Sequence, residues 1–260
     1  MTTLVRVPLQ VTQLHALAGY LTDGPSLAAL YGFVSGLERA AKVSIPRFGL
    51  IVEKYKSTLR ENLKVGMDSL PAGLAQKEPP PLTAYRYANA NLVVYLELTD
   101  FDISDLEAIL EDLIIAINKS RFQGGNLNHI QTKQITVISG DPGAELLSKV
   151  YELEKPLSQL YTHRLLVPKA GIDLLDQYAE AITEDPATVL ICNGYVRVGD
   201  VEGNIIAEPS FTLANIIKAY TLKHLSVSEL DKKYDSFMWQ FDTLLHTSNP
   251  NQLTIGTNHV

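Results

Sequence analysis

The sequence predicts an α+β protein built on a ferredoxin-like, RRM-like β-α-β-β-α-β core. Three observations carry this expectation. Segments of strand periodicity and segments of helical periodicity follow one another as strand, helix, strand, strand, helix, strand within about the first 140 residues. A polar, Pro-rich interval over about 58–87 interrupts that order once, as a long inserted loop. Beyond Gly140 the pattern turns mixed, which predicts an α/β C-terminal extension over 141–260 packed on the 1–140 core.

The elements are justified in turn. Leu4 to Val11 alternates apolar and polar residues and reads as the first strand, with Pro8 marking an edge or a bulge. Gly24 suits a helix N-cap and Pro25 the first helical position. Leu27, Leu30, Tyr31, Val34, Leu37 and Ala41 then form one apolar stripe. Gly32 and Gly36, four apart on this helix, predict close packing on a sheet, because mid-helix glycine otherwise costs about 1 kcal/mol against alanine. Phe48 to Tyr55 is β-branched enough for a strand. The insertion follows, and its Glu78-Pro-Pro-Pro-Leu run cannot join a sheet.

Leu92 to Leu98 alternates as the third strand. The box Ser104-Asp-Leu-Glu107 opens a helix whose stripe is Leu106, Ile109, Leu110, Leu113, Ile114 and Ile117. That helix is expected to end near Phe122-Gln-Gly-Gly-Asn, and Lys133 to Gly140 supplies the fourth strand. The extension reads as a helix over Ala144 to Leu160 broken at Pro156, a short helix near Ile172 to Ile182, and a strand from Thr188 that hairpins with Asn204-Ile-Ile-Ala. Helices over Leu213 to Leu222 and Glu229 to Leu245 and a frayed tail after Thr247 complete it.

Composition bounds the function. The 260 residues are 46% hydrophobic and 20% charged, ordinary for a globular protein. A single cysteine, Cys192, excludes an internal disulfide and a cysteine-based zinc ribbon. The start lacks a signal-peptide pattern and no apolar span reaches membrane length, so the cytoplasm is the expected location. A net charge of −7 argues against a free-standing, non-specific nucleic-acid binder. The charge is nonetheless uneven. Seven bases and two acids lie between Arg39 and Lys64, whereas seven acids and no base lie between Glu97 and Asp112. Such a split suits an anionic ligand on one side.

The adjacent glycines Gly124 and Gly125 admit two readings: a helix end with a turn, or a cradle whose N–H groups approach a phosphate. Lys119, Arg121, Asn126, Asn128, His129 and Lys133 surround the pair in sequence and suit an RNA backbone. Lys54 and Lys56 share one strand face and lead towards Arg60 and Lys64, as either a lysine-protected edge or a phosphate track. The six histidines show no metal spacing, and no nucleophile elbow, Walker loop or dinucleotide fingerprint is present. No catalytic group, metal or cofactor is nominated.

Leu21-Thr-Asp-Gly-Pro, Ala29-Leu-Tyr-Gly-Phe-Val-Ser-Gly-Leu-Glu-Arg39 and Phe48-Gly-Leu-Ile-Val together resemble the second Csy subunit of type I-F CRISPR surveillance complexes, a RAMP-superfamily family. Ala90-Asn-Leu-Val-Val-Tyr-Leu, Gly124-Gly125 and His163-Arg164-Leu-Leu-Val-Pro occur in the same order, so the resemblance runs loosely over most of residues 1 to 185. It implies a Cascade-like ribonucleoprotein subunit in antiviral defence that binds CRISPR RNA (crRNA), at the five-prime handle, without catalysis. Implied partners are the backbone and repeat-processing subunits, and target DNA through the complex. Implied RNA contacts are Arg39, Arg47, Lys54, Lys56, Arg60, Lys64, Lys119, Arg121, Gly124, Gly125, Asn126, His163 and Arg164. Ser35 stands where the family has histidine, the usual aromatic before Gly24 is missing, and the C-terminal part is short. A repeated backbone subunit of a reduced complex therefore stays open, as does a metal-independent repeat-RNA endonuclease with His15 or His163 as general base.

Overall fold

The computed structural model describes residues 1–18, 22–57, 87–164, 174–201, 204–241 and 252–256. The insertion over about 58–87, all but its last residue, lies outside them, as do Arg60 and Lys64. The described chain is a mixed α/β fold in which a curled antiparallel sheet of 11 strands carries helices on both faces.

Strand β1 (Thr2–His15) is the spine. A short ribbon of β2 (Leu17–Ala18) and β3 (Thr22–Asp23) leads to helix α1 (Leu27–Ala41). Strands β4 (Arg47–Ser57) and β5 (Tyr87–Leu98) follow, then helix α2 (Leu106–Lys119). The hairpin of β6 (Arg121–Phe122) and β7 (Gly125–Leu127) precedes β8 (Thr136–Gly140). These strands lie in the order β4-β5-β1, with β1 flanked on its other edge by β8 along Thr2–Arg6 and by β7 at Val11–Thr12. Pro8 falls in the gap between β8 and β7, where β1 needs no donor on that side.

The remaining elements are α3 (Ala144–Leu153), β9 (Gln159–Arg164), α4 (Leu174–Glu184), β10 (Thr188–Val201) and β11 (Asn204–Lys218). After them come α5 (Ala219–Leu222), α6 (Val227–Phe237), β12 (Met238–Phe241) and β13 (Gln252–Gly256). Strand β9 pairs with β4 at Leu50–Val52 and then leaves it, and β12 takes its place at Arg47–Gly49. Pairings β9–β11–β10–β13–β12 connect the two prongs of this fork into a closed circuit. Trp239, fully buried, donates its indole N–H to Tyr161 O across the fork at 3.0 Å.

Several expectations are corrected. Helix α1 is capped by Ser26, whose side chain accepts from Ala29 N, so it starts two residues later than the Gly-Pro signal suggests. A Cβ at Gly32 or Gly36 would meet nothing within 4 Å, so close packing does not require these glycines. Asp102 caps a 3-10 turn over Ile103–Asp105, and α2 starts from Asp105 without a side-chain cap bond, in place of the Ser104–Glu107 box. Leu213–Lys218 is strand, because β10 and β9 bond both its edges, and only Ala219–Leu222 is helical. Helix α6 stops at Phe237, since the next residues are the second prong on β4. The break near Pro156 gives way to β9, and part of the expected tail is β13.

Burial divides by face. Val5, Val7, Leu9 and Val11 of β1, Phe48, Leu50 and Val52 of β4, and Leu92, Val94 and Leu96 of β5 pack under α1 and α2. On the opposite face Leu4, Ile51, Val93 and Tyr95 pack under Leu146, Leu147 and Val150 of α3 and Leu230, Tyr234 and Phe237 of α6. That second face also buries two ion pairs. Arg6 donates to Glu154 at 2.6 and 3.3 Å, and Tyr95 OH donates to the same carboxylate at 2.6 Å. Arg47 pairs with Glu97 and lies 5.6 Å over the Tyr234 ring.

The side chain of Glu154 has no exposed surface. Removing its cationic partner leaves a buried carboxylate short of donors, a class of change that costs about 3–5 kcal/mol. Arg6→Met is therefore expected to lower Tm by about 10 °C in calorimetry; an unchanged Tm would contradict the ion pair's role. Burial also pushes up the phenols of Tyr95 and Tyr234, and that of Tyr161 to about 12. A folded-state pKa above the unfolded value of about 10 gives stability that is full below pH ~10 and falls as pH rises towards ~12. The urea midpoint should hold from neutrality to about pH 10 and then drop, with Tyr161→Phe moving the drop upward. A midpoint flat through that window would refute this.

Candidate nucleic-acid interface

Among the described residues, helices cover the second face only over one half of the sheet. Antiparallel register places residues directly opposite one another on the same face. Counting outward from Leu4, Arg6, Val93 and Tyr95, the other half of that face carries Gln10, Thr12 and His15 of β1 and Tyr87, Asn89 and Asn91 of β5. Lys54 and Lys56 of β4, and Arg121 and Asn126 of the β6–β7 hairpin, complete it. Gln10, Thr12, His15, Lys54, Lys56, Asn89, Arg121 and Asn126 are exposed, and Tyr87 and Asn91 half-buried. The set spans five strands, about 19 Å at the usual strand spacing.

Two features define its chemistry. None of these residues is a carboxylate, and the neighbouring bulge residue Glu53 is paired with Lys155 at 2.9 Å. The exposed acids Asp105, Glu107, Glu111 and Asp112 belong to α2 and the turn before it, on the far side of the sheet. His15 and Tyr87, directly opposite in register, meet edge to face at 5.3 Å. Lysines, an arginine, side-chain amides and an aromatic pair on one strand surface are the groups that hold a phosphate chain and unstacked bases.

The hairpin that borders this surface explains the glycine pair. Gln123 and Gly124 have φ of 46 and 75°, the left-handed values that a two-residue primed turn needs at both positions. A Cβ on Gly125 would meet Val11 Cγ1 at 2.7 Å and Leu14 N at 2.9 Å, so glycine lets the hairpin lie against β1. Gln123 fastens the corner: its side chain accepts from Ser26 N at 2.8 Å and donates to His15 O and to Gly24 O. The start of α1, the end of β1 and the hairpin thus meet at one point.

The residues expected to contact RNA divide into groups. Lys54, Lys56, Arg121, Gly124, Gly125 and Asn126 gather at this half of the sheet, with exposed Lys119 at the end of α2 leading into the hairpin. Arg39 is exposed near the C-terminal end of α1, with its Nε donating to Ser35 O at 3.2 Å. Arg47 is committed to Glu97, whose hydrogen bonds raise the guanidinium above its ordinary value. His163 packs its ring 5.4 Å from Trp239 and bonds Thr212 Oγ1 at 3.2 Å. Arg164 bonds Thr188 Oγ1 and lies 3.4 Å from Asp185. Sequence reasoning missed Gln10, Thr12, Tyr87, Asn89 and Asn91. The Asn-Ala-Asn alternation at the start of β5 was the available signal for the last two.

Among the described residues no group of three or more His, Cys, Asp or Glu could hold a metal ion. A cavity of about 370 Å³ opens at the other end of the sheet, lined by Met1, Thr3, Leu98, Phe101 and Ile103. No helix of the described residues is long and apolar enough to cross a membrane. Comparison with family models and with curated proteins found no match to this chain.

Proposed function

We propose that the chain is a non-catalytic RNA-binding subunit of a CRISPR surveillance complex and that it holds crRNA on the uncovered half of its sheet. The observation that carries this reading is the open, carboxylate-free strand surface with Lys54, Lys56 and Arg121 at its borders and the His15–Tyr87 pair on its floor. The strand order β8-β1-β5-β4, antiparallel throughout with α1 and α2 on one face, supports a ferredoxin-like core. In such a core, the face away from the two helices is the one that RNA-recognition modules present to unstacked bases. Ser57 and Tyr87 lie at the same end of the sheet as this surface. The sequence resemblance supports five-prime-handle capping as the specific role. Joint holding of RNA with other subunits reconciles a net charge of −7 with a polyanionic ligand.

The test is co-expression with a CRISPR array and the neighbouring genes, followed by RNA extraction and filter binding across a salt series. A discrete guide-length RNA is expected to co-purify. Lys54→Glu, Lys56→Glu and Arg121→Glu combined should weaken retention about tenfold or more and flatten the salt slope by about 1 per lost phosphate contact. Unchanged retention would overturn the assignment of the surface. Metal-free cleavage of repeat RNA that disappears in His15→Ala would overturn the non-catalytic part.

A further inference from the structure

The open strand surface carries the means to tell one base from another. Strand β1 bulges opposite Asn89: Val11 pairs with Ala90 and Leu14 with Ala88, so Thr12 and Gln13 share one position. Gln13 takes a left-handed φ of 58°, and its backbone N–H donates to Asn89 Oδ1 at 3.2 Å. A backbone N–H can only donate, so this bond fixes which end of the amide is the oxygen. It turns Oδ1 towards β1 and leaves Nδ2, a donor, as the arm that Asn89 offers to a ligand.

The neighbours of Asn89 supply a stacking floor and a second donor. Tyr87 precedes it by two residues on the same strand face, about 7 Å away along β5. Tyr87 meets His15 edge to face, and a Cβ on Gly124 would meet His15 Cδ2 at 3.0 Å, so the imidazole lies against the β6–β7 turn. Lys56, exposed, stands directly opposite Asn89 on β4, and its ammonium only donates. The bulge residue Glu53 is paired with Lys155 at 2.9 Å.

We infer that this subsite selects guanine over adenine in single-stranded RNA. An asparagine reads adenine with both arms, Oδ1 accepting from the N6 amino group and Nδ2 donating to N7. Asn89 has committed its Oδ1 to the bulge, so that bidentate contact is lost. Two donors side by side match O6 and N7 of guanine, an edge that offers acceptors alone. A purine stacked on the His15–Tyr87 pair brings this edge to Asn89 and Lys56. Adenine in the same place sets its amino group against these donors, with no carboxylate on the surface to accept from it. The inference rests on the RNA-binding reading of the same surface and adds the base that it prefers.

Fluorescence anisotropy with the full chain and labelled RNA octamers UUXUUXUU, at one fixed salt concentration, tests it. X is guanine, inosine, adenine or 7-deazaguanine. Inosine keeps O6 and N7, and 7-deazaguanine lacks N7. The guanine and inosine octamers are expected to bind alike and about fivefold or more tighter than the adenine octamer, with 7-deazaguanine between them. Asn89→Asp keeps an oxygen for the Gln13 N–H but exchanges the free donor for an acceptor, and should bring the guanine-to-adenine ratio to about 1 or below. The added negative charge weakens both octamers together, so the ratio is the readout. Lys56→Met, which leaves the bulge untouched, should also lower that ratio. Equal binding of all four octamers, or a ratio that survives both substitutions, would overturn the inference and leave the RNA-binding reading standing. Binding of none of them would remove that reading, and the inference with it.

Discussion

The central strands of this fold are apolar on both faces over half their length, and that constraint governs the rest. In β5, Leu92, Val94 and Leu96 face α1 and α2, while Val93 and Tyr95 face the other way. A half-buried sheet would leave the second set in water, so the chain must return to cover it. Helices α3 and α6 do so, and they bring the charge with them. Glu154, just after α3, reaches Arg6 and Tyr95, and Tyr234 of α6 lies against Arg47, which pairs with Glu97. These buried pairs fix the position of the cover through geometry more than they add net stability.

The cover ends where the sequence changes character. Past Arg6 the second-face positions of β1 become Pro8, Gln10 and Thr12, and before Val93 those of β5 are Asn91, Asn89 and Tyr87. Polar side chains need no apolar lid, and α3 and α6 do not pack over them. The surface proposed to hold RNA is therefore a consequence of where apolar alternation stops on one face while continuing on the other. Val11, Leu14, Ala88 and Ala90 remain buried beneath it on the first face. The tight β6–β7 hairpin and the Gln123 clasp form the border of this surface.

Periodicity made the first half legible. The alternation from Leu4 to Val11 and from Leu92 to Leu98, and the stripes of α1 and α2, read directly as the elements that formed. The extension was less readable because its elements are set by distant partners. Leu213 to Lys218 has helix-compatible spacing, yet β9 and β10 claim both its edges; the run after Phe237 is strand because β4 has a vacant stretch at Arg47–Gly49. The same limit applies to the site. Lys54 and Lys56 share a face as their spacing implies, but Arg47 and Arg164 looked equally basic. Their carboxylate partners, Glu97 and Asp185, lie 50 and 21 residues away.

Photo-crosslinking of co-purified RNA followed by peptide mass spectrometry tests the central claim most directly. The account predicts crosslinks concentrated in the peptides that carry Gln10–His15, Tyr87–Asn91 and Arg121–Asn126, with none in α3 or α6. Crosslinks centred on Arg39 and the outer side of α1, with the sheet peptides unmodified, would contradict it.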